Sequence, residues 1–394
     1  MSKKNLKVSV IITTYNRPDS LYLTLLGYTR QSFKDFEIII ADDGSDEATK
    51  NIIEDFKKKF SDIPLKHIWH PDEGFRRTVI TNKAVREAEA DYLIISDCDC
   101  IPDENFVKVH YENREKNTFL NGRRLLLSEI DSQNLSPKAV LNNELKIFDV
   151  KDSIRDITIR HLKSYWYKLI NRKSRLRLMA ANLSLYKKDF LLVNGFDERF
   201  KGWGTADEDL CRRLFRAGLK WKSVYLKAFV YHIAHPPDPT KPSKVKLGRN
   251  IPYYERGFYL TKAFVGLKKR SIKDLNTLIS IYTDVPEKFL KNLMMLFPKS
   301  KISIFDKIIY DKFDAGDFRE IHLVISDKPS VKFRKDFEEK VFWYMGNSEN
   351  FYKPSAANII ISPFPSNYKY HYPLFSPMEL SIEKLESFFN KIEF

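Results

Sequence analysis

The feature that most restricts the fold of this chain is the regular alternation of strand and helix patterns over its first hundred residues. Val8 to Tyr15 is a continuous, β-branched-rich run, as expected of a strand covered on both faces. Asn16-Arg17-Pro18-Asp19 breaks it, and Ser20 to Gln31 reads as helix. A second strand, Phe36 to Ala41, runs into Asp42-Asp43-Gly44-Ser45-Asp46. A helix over about 47–60 and a short strand from Leu65 to Trp69 follow. Thr78 to Ala90 predicts a helix leading into a strand that ends at Asp97. Such alternation predicts a doubly wound, mostly parallel sheet. Ligands of these sheets bind at the carboxyl ends of the strands. Thr13-Thr14-Tyr15, Asp42-Asp43 and Asp97-Cys98-Asp99 each stand at such an end, and together they predict one site.

Asp97 and Asp99 carry the chemistry most openly. In extended chain alternate side chains share a face, so both carboxylates are expected to point one way and Cys98 and Cys100 the other. Two carboxylates that close repel unless a cation lies between them. Mg²⁺ and Mn²⁺ take such oxygens and share them with phosphate. Alone, Asp-x-Asp reads as a solvated turn; its position at the strand edge and its company are what single it out.

Other nucleotide sites are excluded by missing residues. There is no Gly-x₄-Gly-Lys-Ser/Thr loop. Gly202-x-Gly204 has Asp207 where a dinucleotide loop needs its third glycine, and lies far from the first strand. Cys98, Cys100 and Cys211 are too few for a disulfide framework and predict a reducing compartment. The start of the chain predicts no signal-peptide core, and no apolar run approaches a membrane span.

Charge is distributed unevenly. Residues 1–150 hold 22 basic and 25 acidic side chains, residues 151–264 hold 25 and 10, and residues 265–394 hold 20 and 17. The excess therefore lies in the middle third and predicts a surface facing an anion: nucleotide, phospholipid or nucleic acid. Within it, Arg160 to Lys168 and Asn171 to Arg177 read as a basic, aromatic helical insertion. Farther on, glycines flank Trp203, which suits a bent loop presenting an aromatic face. Asp207, Glu208 and Asp209 then open a helix running to Ala217, where carboxylates meet the dipole favourably. His232 and His235 stand three apart after a strand-like stretch, Ser223 to Val230, and are candidate metal ligands. Beyond about residue 265 no motif occurs, and prolines punctuate an aromatic tail.

Taken in order, these motifs resemble family 2 glycosyltransferases of the GT-A fold. The nearest branch is the bacterial one whose C-terminal half is similar to β-1,4-galactosyltransferases. The resemblance rests on Val10-Ile11-Ile12-Thr13-Thr14-Tyr15-Asn16-Arg17, Asp42-Asp43-Gly44-Ser45, Glu73-Gly74-Phe75-Arg76, Asn82-Lys83-Ala84 and Asp97-Cys98-Asp99. It continues in Asn194-Gly195-Phe196-Asp197-Glu198 and Gly202-Trp203-Gly204, and covers about residues 6–240. It implies that Thr13, Tyr15 and Asp43 hold the uridine, with Arg76 and Lys83 near the diphosphate. Asp97 would approach the ribose, and Asp99, His235 and His232 would hold Mn²⁺ or Mg²⁺. Trp203 would floor the acceptor site, and Asp207 matches the catalytic base. The family's loop reads Gly-Trp-Gly-x-Glu-Asp, and Ala206 stands here in place of the Glu; Glu208 is the candidate replacement.

The expected architecture is thus a GT-A domain over 1–264 and an accessory domain over 265–394. The first divides into a donor half at 1–125, the basic insertion at 131–178 and an acceptor half at 179–240. The expected activity is metal-dependent, inverting transfer of a hexose or N-acetylhexosamine from a UDP-sugar to a surface polysaccharide or lipid-linked glycan. The chain is expected in the cytoplasm, peripheral on the inner face of an anionic membrane. A nucleotidyltransferase is the alternative enzyme, but its basic Gly-rich loop is missing. A nucleic-acid-binding protein would explain the basic third but not Asp97, Asp99 and Asp207, and no nucleic acid is expected as partner.

Overall fold

The computed structural model describes residues 6–147, 150–170, 178–236, 250–256, 259–328, 331–346, 354, 356–363, 370–374 and 380–392. The chain forms two compact units, Met1–Tyr254 and Glu255–Phe394.

The first unit opens as the pattern predicts: β1 (Val8–Thr14), α1 (Pro18–Thr29), β2 (Phe36–Asp42), α2 (Glu47–Lys59), β3 (Leu65–Trp69), α3 (Arg77–Arg86) and β4 (Tyr92–Asp97). Next come β5 (Cys100–Pro102), α4 (Phe106–Glu112), β6 (Thr118–Asn121), β7 (Arg123–Leu126), α5 (Glu129–Gln133), α6 (Pro137–Leu141) and α7 (Lys151–Leu169). The unit closes with β8 (Asn182–Tyr186), α8 (Lys187–Leu192), α9 (Ala206–Arg216), β9 (Lys220–Ser223), β10 (Phe229–His232) and α10 (Asn250–Tyr254).

Seven of these strands form one sheet in the order β3-β2-β1-β4-β8-β6-β9. β1, β2, β3 and β4 run parallel, and every residue of β1 and β2 is buried, as their apolar runs require. β8 is antiparallel to both β4 and β6. A buried chain of hydrogen bonds holds that reversal. Tyr92 and Ser184 hydroxyls lie 2.8 Å apart, Ser184 Oγ meets His110 Nδ1 at 2.7 Å, and His110 Nε2 meets Asn182 Oδ1 at 2.9 Å. Gly122 is required beside it, because a Cβ there would stand 2.2 Å from Asn182 Oδ1. A second, three-stranded sheet, β5-β10-β7, brings His232 back beside Cys100.

Two local expectations differ from the structure. The strand expected over 223–230 is interrupted: residues 224–228 form a turn between β9 and β10, closed by the Lys227 and Ala228 amides donating to the Val224 carbonyl. The extended chain expected through Asp99 is also a turn: β4 ends at Asp97 and β5 starts at Cys100. Cys100 consequently faces Asp99, donating from Sγ to Oδ1 at 3.3 Å, rather than the opposite side.

The second unit has its own sheet. Its elements are β11 (Thr277–Tyr282), α11 (Glu287–Leu296), β12 (Ser300–Ile304), β13 (Lys307–Asp311), β14 (Ile321–Ser326), β15 (Glu339–Tyr344), β16 (Ile359–Ser362), β17 (His371–Pro373) and α12 (Ile382–Phe389). The strand order is β13-β12-β11-β14-β15-β16-β17, parallel except for β13. Ile279, Phe289, Leu293, Leu323, Trp343 and Phe389 centre its core.

Candidate active site

The carboxyl ends of β1, β2 and β4 gather most of the singled-out residues. Thr13 Oγ1, at the end of β1, donates to Asp97 Oδ1 at 2.7 Å. Tyr15 leaves the strand exposed and donates to Asp72 Oδ2 at 2.8 Å, reaching across to the loop after β3. That loop closes tightly on Gly44, whose φ of +94° and whose 2.6 Å Cβ approach to the Asp72 backbone admit only glycine.

Asp43 is buried and accepts two bonds, from the Arg76 backbone N–H at 2.7 Å and from His70 Nε2 at 2.6 Å. Burial pushes its carboxyl up, against these two donors. Lys83 Nζ lies 3.3 Å from His70 Nδ1, so its ammonium donates there and fixes the tautomer that donates to Asp43. The order Lys83–His70–Asp43 was not legible from the sequence, because the three lie on different elements. The Arg76 guanidinium is held by Glu73 Oε2 at 2.6 Å and the Pro71 carbonyl at 2.8 Å.

The cation standing among the carboxylates is instead Arg77. Its guanidinium donates to Asp97 Oδ1 at 2.9 Å, Asp207 Oδ1 at 3.2 Å and Thr13 Oγ1 at 3.4 Å. Burial alone would lower its pKa, but the two carboxylates reverse the sign and keep it charged. Asp207, in the first turn of α9, also accepts from the Ala180 N–H on Oδ2 at 2.8 Å. Asp97 at the end of β4 and Asp207 at the start of α9 thus share one arginine across 110 residues of sequence.

Asp99 turns toward β10. Its Oδ2 lies 3.0 Å from His235 Nε2 and 3.6 Å from His232 Nε2. The ligand atoms of these three residues lie within 4.8 Å of one another, and so do those of Asp97, Asp99 and Cys100. Burial alone would raise the Asp99 carboxyl, yet the His235 bond and the two imidazoles hold it down at about 2. Burial pulls His232 down to about 4, which leaves a neutral imidazole with a lone pair to give. Burial also pushes the Cys100 thiol well up, so it stays a thiol. Arg17, on the break after β1, places Nη2 3.1 Å from His235 Nδ1 and is a second cation at this cluster.

On the Arg77 side lies a cleft of about 620 Å³, lined among others by Arg77, Asp97, Arg124, Trp203, Asp207 and Glu208. Trp203 is exposed to it on a loop of left-handed residues: Gly202, Gly204 and Thr205 have φ of +82°, +102° and +62°. The loop's shape depends on Asn250, which the sequence did not flag. Its buried side-chain amide donates to the carbonyls of Gly202 at 3.2 Å, Trp203 at 3.4 Å and Gly204 at 3.0 Å, and accepts from the Lys201 N–H. Asp209 belongs to the scaffold: it is buried and paired with Arg212 at 2.9 Å and Arg213 at 2.7 Å. The basic cluster Arg172, Lys173, Arg175 and Arg177 lies outside the described residues.

Residues 9–177 match the family described as glycosyl transferase family 2, and residues 160–236 match the N-terminal domain of galactosyltransferase. The glycosyl transferase family 2 match spans less than half of the chain, and both matches fall within the first unit. The first unit has a GT-A fold, and the second unit is an additional domain. Relatives include the chondroitin synthase of Escherichia coli, 29% identical over 265 residues, which cover 62% of this chain and 37% of that protein. The hyaluronan synthase of Pasteurella multocida is 29% identical over 262 residues, covering 62% and 26%. The validoxylamine A glucosyltransferase of Streptomyces hygroscopicus subsp. jinggangensis is 26% identical over 239 residues, covering 54% and 52%. The chain therefore corresponds to about a quarter to two fifths of the length of the two synthases. Among solved structures, the mannosyltransferase PcManGT of Pyrobaculum calidifontis, in complex with GDP-Man and Mn²⁺, aligns with a TM-score of 0.41 and 13% identity, covering 58% of this chain and 57% of that one.

Proposed function

We propose that this chain is a metal-dependent, inverting glycosyltransferase of family 2. It moves a hexose or N-acetylhexosamine from a UDP-sugar to a surface polysaccharide or lipid-linked glycan, at an anionic membrane surface. The observation that carries the reading is the cleft in which Asp97 and Asp207 flank Arg77, with Asp99, His232 and His235 alongside. One carboxylate takes the acceptor hydroxyl's proton as its oxygen attacks the anomeric carbon, and the bond to the diphosphate breaks as the new one forms. Asp207 is that base, and Trp203 supplies the flat face on which the acceptor ring rests. Asp43, held ready by His70 and the Arg76 amide, accepts from the uracil N–H; Thr13, Tyr15 and Asp97 border the nucleoside. Arg17 and Arg77 are the cations nearest the diphosphate, with Arg76 and Lys83 supporting Asp43 from behind.

Asp99, His232 and His235 fit a divalent cation. Two imidazole nitrogens and a carboxylate suit Mn²⁺ better than Mg²⁺, which prefers oxygen throughout. Bound there, the ion would neutralise charge on the leaving diphosphate.

Calorimetric titration of UDP with and without Mn²⁺ tests the metal set. Asp99→Asn should remove the metal-dependent part of UDP binding, since an amide carries no charge to balance the ion. Unchanged metal dependence would exclude Asp99 as a ligand. A panel of UDP- and GDP-sugars with Mn²⁺, scored for slow hydrolysis without acceptor, tests the donor. Preference for a GDP-sugar would overturn the role given to Asp43.

A further inference from the structure

The helix α7 presents two unlike faces. Residues 100° apart around a helix place Ile157 and Ser164 together, and both are buried. His161 pins the same side, with Nδ1 3.0 Å from Ser223 Oγ. On the far side Leu162, Tyr165, Trp166 and Leu169 are 60–70% exposed, flanked by the half-exposed Ile154, Ile159 and Ile170. Such an arc of large apolar groups on one surface helix is more than scattered exposure accounts for.

We propose that this outer face of α7 docks on an anionic lipid bilayer, lying in its headgroup layer; the inference rests on the lipid-linked acceptor proposed above and names the surface that meets the lipid. Charge selects this occupant over a second copy of the chain. Residues 151–177 carry nine basic and two acidic side chains, and Arg155 and Lys163 are exposed on α7 itself. A self-interface would set that excess against itself, whereas anionic headgroups complement it. Tyr165 and Trp166 are the residue types that settle at a bilayer boundary. No helix among the described residues is long and apolar enough to cross a membrane, so α7 lies on the surface. Its inner edge explains the use: Asp156, Ile157 and Arg160 line the cleft that holds Asp207 and Trp203. A sugar carried on a lipid would meet the catalytic edge directly beside the bilayer.

The test is co-sedimentation of the full chain with phosphatidylcholine vesicles and with vesicles rich in phosphatidylglycerol. The wild type should bind the anionic vesicles and not the neutral ones. Leu162→Gln combined with Trp166→Gln and Leu169→Gln should lower the partition at least about tenfold, with UDP affinity unchanged. Arg155→Gln with Lys163→Gln should weaken binding most at low salt. Should the triple variant fail to fold, Trp166→Phe serves: the blue shift of fluorescence on anionic vesicles should shrink in it. Wild type that stays in the supernatant overturns the proposal, and so does binding that the triple variant leaves intact. A dimer in light scattering that the triple variant dissolves would show a self-interface instead. UDP binding is read without lipid, so failure of the docking surface leaves the transferase reading standing.

Discussion

Both carboxylate oxygens of Asp207 are already engaged, one by the Ala180 amide and one by Arg77. The bonds fix its direction while leaving lone pairs for an acceptor proton. Asp207→Asn should keep UDP affinity and lower turnover by about 10²–10⁴, the usual loss on removing a general base. Transfer rate and donor titration on one preparation check this, and retained turnover with loss in Glu208→Gln would move the base by one residue. Asp209→Asn is the contrast: it breaks a buried pair with Arg213 and should cost about 3 kcal/mol of stability in a denaturant titration. Arg77→Lys keeps the charge but loses the fork that spans Asp97 and Asp207. It should cut turnover more than it weakens UDP binding; equal losses would make Arg77 a donor contact only. Sequence spacing brought out Asp99, His232 and His235 because strand ends and an i, i+3 pair leave a local trace. Arg77, His70 and Asn250 left none. Their partners lie 13 to 130 residues away, and only the assembled sheet brings them within reach.

Among the elements, strand β8 runs against its neighbours over a buried His110. Burial holds that imidazole down to about 4, so the folded chain keeps it neutral while the unfolded chain protonates near 6.5. Between those values the unfolded state binds more protons, and stability must fall as pH falls. Thermal melting should show this as a loss of up to about 2 kcal/mol between pH 6.5 and 5, and His110→Gln should flatten the slope. The parallel strands were readable because doubly buried β-branched runs have few other homes. The strand expected at 223–230 was not, since Val224, Tyr225 and Ala228 are apolar for a different reason: they bury a turn. The reversal at β8 was hidden too, as antiparallel insertion alters partners without altering composition.

In the molecule as a whole, every residue given a role in transfer lies in the first unit. A fragment ending at residue 256 should therefore bind UDP with the affinity of the full chain, measured by the same titration; a large loss would assign the second unit a part in donor binding. The mostly parallel sheet of that unit, with its own core, escaped the sequence reading because no motif marks its strand ends. Its short strands, broken by prolines, read only as alternating pieces. If the proposed transfer holds, Asn250 bears on how this loop could be re-engineered. The tryptophan loop borrows its shape from a residue more than forty positions downstream, past the last recognisable motif. A loop of residues 202–207 moved into a relative would arrive without its brace and relax, taking the indole away from the incoming sugar. Exchanging acceptor preference between relatives should succeed only when the donor of the loop also donates its counterpart of Asn250.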